Sequence, residues 1–388
     1  MRVPVARRKF GGGRRRSMLG TTTAVAALAT LVVASSGSAA DSNRMAALGK
    51  AAGVKAGPKV ALPTGKTIAV MRFSATSDAD KRFYATFQQL GKRLGFKVIG
   101  CDPNFDPQKT RECMSGFAAQ KPDAIVSFLH DPATLGGGLK DAYDQGIPVI
   151  VAGAEVTPSP YVTQYVLDET IHQRMLDKWF FAKMKAKVGK GKVAKYAAMG
   201  APGASLASRL NETQRKADDR KDPGVTEVIT HDLDLTNIVQ DTIKTTTQAL
   251  QQYSDLAGLF TVCDFCSPLI AQQVAAERRG KDRPIIAATY VTKQSLAELR
   301  RGRIDGLLEY PWEANVYVVA DRLVENWARG TSLKKGAKTA LQPSPGVDFR
   351  QGYMLTKENA GKSGPIPLLS QDFRAYYNAK WQQEFRGN

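Results

Sequence analysis

Histidine is the scarcest functional side chain in this sequence, with three in 388 residues, and cysteine occurs only four times. His130, His172 and His231 show no ligand spacing among themselves. There is no His-Glu-x-x-His, no Gly-x-Ser-x-Gly, no Walker-type loop and no paired carboxylate set. Zinc hydrolase, serine hydrolase and phosphate-loop chemistry therefore have no foothold, and neither a catalytic residue, a metal nor a cofactor is expected. Long apolar runs are missing after Val33, so no membrane-spanning helix is expected in the body of the chain. Acids are in deficit, 36 against 55 lysines and arginines, for a formal charge of +19.

Part of that charge belongs to an address rather than to a surface. Arg2–Arg16 is basic and Gly-rich, Met18–Val33 is apolar and small, and Ser38-Ala39-Ala40 precedes Asp41. The pattern predicts a cleavable signal peptide over 1–40 and a periplasmic or extracellular protein. Arg15-Arg16-Ser17-Met18-Leu19 also fits a twin-arginine signal, so the general and twin-arginine routes both stay open. No cysteine stands at the cleavage site, which argues against a lipid anchor. The seven cations of residues 1–16 have no acid beside them, and without them the charge falls to +12. The remaining basic groups, such as Lys183–Lys195, Arg278–Arg283 and Arg300–Arg303, adjoin turn residues. They read as solvated helix ends, and no nucleic-acid partner is expected.

An even cysteine count in an exported chain predicts disulfides. Of the three connectivities, local pairing of Cys101 with Cys113 and of Cys263 with Cys266 is preferred. Cys263-x-x-Cys266 sits where a strand leads into a helix, the placement that lowers a thiol pKa. A thiol-disulfide oxidoreductase is thus an alternative, although chain length and topology differ from the thioredoxin type.

The pattern is clearest over Pro122–Gly153. Ala124–Leu129 reads as a strand, Ala133 opens a helical segment through Leu139, Ala142 and Tyr143, and Ile147–Val151 reads as a second strand. A crossover of this length makes the strands parallel, and their continuous apolar character means that both faces of the sheet are covered. Gly136-Gly137-Gly138 falls inside the helical segment and makes a poor phosphate loop. The alternation begins at Lys66–Phe73, followed by a helix over Ala79–Leu94, and restarts after Leu167 as far as Ile304–Glu309. A long amphipathic helix, Pro311–Gly330, comes next, then a linker over Lys334–Pro345, a strand over Phe349–Thr356 and a helix over Asp372–Phe385. The expected fold is α/β, with two doubly wound parallel-sheet lobes.

This ordered series resembles the type I periplasmic binding proteins, the ribose-binding group of ABC-transporter receptors. The resemblance covers Lys66–Thr356. It rests on IAVMRF followed by Phe83-Tyr84, PDAIVSFLHDPATL…AYDQGIPVIV, YVLDET, LAGLFTVCD and LRRGRIDGLLEYPWE. It implies three hinge crossings, near Leu167, Glu309 and Gly346. The first lobe would hold 66–167 and 310–345, the second 168–309 and 346–388, with 41–65 a loosely held extension. It further implies a monomeric receptor that binds a carbohydrate or similar small polar solute between the lobes and delivers it to an ABC permease in the membrane.

Ligand-binding residues implied by the resemblance are Phe73, Phe83, Tyr84, Asp131, Glu155, Arg209, Asp264, Tyr290 and Glu309, with Trp312 and Phe265 as further aromatic candidates. The polar set departs from the sugar-binding pattern. Gly153-Ala154 stands where Asp-Arg is expected, Cys263-Asp264 for Asn-Asp, Thr289-Tyr290 for an aspartate turn, and Glu309 for the hinge glutamine. Several candidates have a structural role open to them: Phe83 shares a helix face with Phe87, Trp312 could anchor packing, and Asp131 and Asp264 stand at helix starts. Carboxylates gathered in one cleft need a counter-charge, from Arg209, Arg72 or the ligand. An amine-bearing solute is accordingly the alternative to a neutral sugar.

Overall fold

The computed structural model describes residues 58–277, 280–333, 338–340, 352–367 and 373–387. Residues 1–40, where a signal peptide is expected, most of the extension and the crossing expected near Gly346 lie outside the described residues. Five parallel strands come first: β2 (Thr67–Met71), β3 (Lys97–Cys101), β4 (Ala124–Phe128), β5 (Val149–Gly153) and β6 (Val162–Val166), after a short β1 (Val60–Ala61). The helices between them are α1 (Asp78–Leu94), α2 (Pro107–Gln120) and α3 (Gly137–Asp144). β4 and β5 are buried along their whole length, as a strand covered on both faces must be.

The second series repeats the first. It comprises α4 (Glu169–Val188), β7 (Ala194–Gly200), α5 (Leu206–Asp219), β8 (Val225–Asp232), α6 (Ile238–Gln252), β9 (Leu256–Thr261), α7 (Cys266–Glu277), β10 (Ile285–Thr289), α8 (Lys293–Arg300) and β11 (Gly306–Glu309). After it come α9 (Trp312–Arg329), β12 (Lys338–Ala340), β13 (Tyr353–Leu355), α10 (Phe373–Glu384) and β14 (Phe385–Arg386). One sheet has the order β3-β2-β4-β5-β6-β12 and the other β8-β7-β9-β10-β11-β13. Each therefore reverses direction beside its first strand, between β2 and β4 and between β7 and β9. Crevices open beyond the carboxyl ends of strands at such points. The chain passes from the first sheet to the second after β6, and returns after β11 so that α9 packs on α1, β5 and β6.

Local chemistry sets these boundaries. Ser77 caps α1, its hydroxyl accepting from Asp80 N, and Gly95 closes the helix in the left-handed conformation. The helix expected from Ala133 is instead two pieces, a 3₁₀ turn over Pro132–Leu135 and α3, divided at Gly136 with φ 65°. Gly136 thus caps α3, so the glycine triplet does open a helix. Gly138 has a packing reason: a Cβ there would lie 2.6 Å from Ser115 N and 2.8 Å from its Cα. Helices α2 and α3 approach too closely for any side chain at that point.

Three expectations are corrected at the chain ends. Residues 338–340 of the expected linker form β12, which pairs in parallel with β6. The end of the extension is held, because β1 pairs with β14 and Leu62 is buried. The C-terminal helix, expected in the second lobe, packs instead as α10 on α9 beside the first sheet. Trp381 stacks on Tyr317 with centroids 5.7 Å apart, its indole N–H donates to Asp321 at 2.8 Å, and Lys380 pairs with Asp321 and Glu325. The reason is physical: α9 presents aromatic and acidic groups, Tyr317, Asp321 and Glu325, that α10 covers with rings and a lysine. Residues 356–367 do stay with the second sheet, where Arg300 donates to the carbonyls of Ala360 and Gly361.

Candidate functional site

Both disulfides are local: Cys101 is bonded to Cys113 with Cα atoms 5.8 Å apart, and Cys263 to Cys266 at 5.1 Å. The second fixes the turn after β9 that carries Asp264 and leads into α7. Across the crevice, Ser77 at the start of α1 donates to Asp264 at 3.5 Å, and Asp78 accepts from Lys293 N, at the start of α8, at 2.8 Å. These contacts join the rims of the two sheets. Asp131 and Arg209 also face each other electrostatically across the gap. Asp131 additionally caps the 3₁₀ turn and accepts from Thr157 N at 3.0 Å. Arg209 is exposed.

Deeper in, the carboxyl ends of β5, β9, β10 and β11 bring together Glu155, Asp264, Tyr290 and Glu309. Glu155 is positioned by Asn315 of α9, which accepts from Gly153 N at 2.8 Å and donates to Tyr165 O at 2.9 Å. Gly153 has φ 94°, and a Cβ there would strike Leu129 and Phe128. Two non-glycine residues next to strand ends, Leu129 after β4 and Tyr290 after β10, also hold left-handed backbone, with φ 71° and 62°. Strain of this kind persists only where its surroundings over-determine it. Tyr290 is wedged against Tyr310 and Trp312, with centroids 4.6 and 5.5 Å away, and Tyr310 stacks on Trp312 at 10° between planes.

Residues absent from the sequence expectation complete the cluster. Glu169, fully buried in the first turn of α4, accepts from the Tyr310 hydroxyl at 2.7 Å. Burial pushes its carboxyl up to about 7 against that hydrogen bond. Asp264 is pushed up to about 6, chiefly by burial and further by Asp78. Glu309 is 1% exposed and pairs with Arg82 at 2.6 Å, while Arg82 also holds Glu313 through two bonds at 2.7 and 2.8 Å. Burial still carries Glu309 up to about 7. The counter-charge expected from Arg209, Arg72 or the ligand comes, for Glu309, from Arg82. Arg72 is engaged by Asp80 at 2.6 Å, and Arg82 supplies the cation because α1 turns it toward the β11–α9 junction.

The aromatic candidates are placed differently from one another. Phe83 is fully buried and stacks on Phe128 at 4.2 Å, so it belongs to the core with Phe87. Tyr84 packs where Gly100 leaves room and lies under the Arg72 guanidinium at 4.8 Å, away from the cluster. Phe73 sits at the rim, edge-on to Phe105 and His130, with its N–H held by Asp80 at 2.9 Å. Phe265 is 37% exposed beside Asp264. Trp312, weighed as a packing anchor, is 1% exposed and does pack, with Phe128 edge-on at 5.4 Å.

A sequence profile described as a periplasmic binding protein domain matches residues 68–330, which spans both sheets. The chain belongs to the periplasmic binding protein family. Its type I fold has many solved counterparts. An ABC sugar transporter subunit from Rhodobacter sphaeroides is 17% identical, with TM-score 0.63 over 76% of this chain and 99% of that one. A sugar-binding protein of a sugar ABC transporter from Bacillus halodurans is 19% identical, with TM-score 0.63 and coverage of 76% and 99%. A carbohydrate transporter solute-binding protein from Agrobacterium radiobacter, in complex with D-arabinose, is 18% identical, with TM-score 0.62 and coverage of 76% and 95%. No curated protein sequence matches the chain. In a periplasmic binding protein the interlobe crevice is where a solute is expected, and here the crevice holds the Glu155–Asp264–Tyr290–Glu309 cluster.

Proposed function

We propose that the protein is an exported solute receptor of an ABC transporter, taking a carbohydrate or similar small polar molecule between its lobes and presenting the closed form to a membrane permease. The observation that carries this reading is the convergence of strand ends from both sheets on one buried set of polar groups and stacked rings. A polyol has polar edges and apolar faces, which carboxyl, amide and phenol groups beside Tyr290, Tyr310 and Trp312 suit. The similarity to receptors whose descriptions name sugars supports the class of ligand. The rim contacts of Asp78 with Lys293 N and of Ser77 with Asp264 suit a latch that forms as the lobes, 66–167 with 310–345 and 168–309 with 346–367, swing together. Residues 373–387 would travel with the first lobe. The receptor would act as a monomer.

Thermal-shift screening of the purified protein against sugars and polyols, followed by small-angle scattering with and without each hit, tests the proposal. A ligand that raises the melting temperature and lowers the radius of gyration is the expected result. Absence of any hit among small polar solutes would overturn it.

A further inference from the structure

Resting on that reading of the crevice, we infer that the solute carries a cationic amine, received between Glu169 and Asp264 around Tyr290. Tyr290 lies within the electrostatic reach of both carboxylates, one from α4 and one from the turn after β9. Neither makes an ion pair among the described residues. The groups acting most strongly on Glu169 are Tyr310, Asn211, Glu155 and Asp168; on Asp264 they are the Phe265 N–H, Asp78 and Ser77. None of these is a cation. Arg82, the cation paired with Glu309, is already shared by Glu309 and Glu313. A carboxylate buried without a partner costs several kcal/mol, so it either holds a proton or meets a cation, and a neutral hydroxyl arriving beside it supplies no opposite charge.

A second feature points the same way. Asn211 of α5 is 1% exposed and lies close enough to Glu169 and Tyr310 to act on both. Its amide is within weak hydrogen-bonding reach of both, with no bond of good geometry among the described residues. The Trp312 indole N–H, also 1% exposed, likewise completes none among them. Buried polar atoms of a native protein are ordinarily paired. The open indole N–H, beside the rings of Tyr290 and Tyr310 and with two buried carboxyl groups that no cation of the described residues meets, matches an ammonium flanked by a hydroxyl. The ring of Tyr290, tilted at 50° to that of Tyr310, adds cation–π attraction for the same group.

The test uses solutes matched except for one charge: glucosamine with glucose, galactosamine with galactose, and 4-amino-1-butanol with 1,4-butanediol, titrated calorimetrically near neutral pH. In at least one pair the amine should bind more than roughly tenfold tighter than its hydroxyl partner. Glu169→Gln and Asp264→Asn should each weaken that amine by roughly 30-fold or more, and its neutral partner less. Should a variant fail to fold, the matched pairs on the unaltered protein decide alone. If a neutral sugar binds and no amine exceeds its partner, the inference falls while the receptor reading stands. If neither the sugar panel nor any pair binds, both fall.

Discussion

At the scale of single residues, the crevice is governed by how few cations meet how many acids. Arg82 pairs with Glu309 at 2.6 Å and donates two hydrogen bonds of 2.7 and 2.8 Å to Glu313. Removing it would strand two buried carboxylates, the costliest kind of single change. Arg82→Gln should destabilise the protein by roughly 3–5 kcal/mol in chemical denaturation, and adding Glu309→Gln should recover part of the loss. A loss below about 1 kcal/mol, the range of surface pairs, would show that the pair is solvated. Arg82 could not have been singled out from the sequence, because its partners are more than two hundred positions away and its helix carries other basic residues. Glu169 was more accessible to reasoning: it lies in YVLDET at the first crossing, a motif visible in the sequence.

At the scale of elements, the glycine triplet offers a contrast within three residues. Gly138 faces the backbone of α2 at 2.6 Å, whereas a Cβ on Gly137 would meet nothing within 4 Å. Gly138→Ala should cost roughly 1–3 kcal/mol by forcing α2 and α3 apart. Gly137→Ala, exposed in the first turn of α3, should stabilise by roughly 0.5–1 kcal/mol through the unfolded chain. Denaturant melts of the two variants should move in opposite directions, and equal shifts would contradict the packing described. From the sequence the triplet reads as the interior of a helix, because apolar spacing does not reveal φ; the positive φ at Gly136 appears only with the neighbouring helix in place.

At the scale of the whole molecule, burial of acids sets a pH dependence. Glu169 and Glu309 are raised to about 7 and Asp264 to about 6, and burial also raises Asp177 well above its ordinary range. Each binds a proton in the folded protein over a window in which the unfolded chain has released it, so stability falls as pH rises from about 4.5 to about 7. His130, pushed down to about 4 by burial, works in the opposite sense as one group against four. The unliganded protein should therefore melt at higher temperature at pH 5 than at pH 8, and Glu169→Gln should flatten the difference. A melting temperature that climbs across that interval would refute the assignment.

Strand and helix identity, the two-lobed α/β architecture and the end of each sheet where polar groups gather were determined by the sequence itself. Their signals are local: apolar runs, cap residues and glycines at helix ends act within a few positions. The tertiary structure alone decided which charges meet. It placed Arg82 rather than Arg209 or Arg72 against Glu309, turned Phe83 into the core against Phe128, and laid α10 on the first sheet's side through Trp381 and Asp321. Each depends on contacts between segments distant in the chain. The energy of such a contact comes from burial and proximity, and neither is a property of one segment read alone.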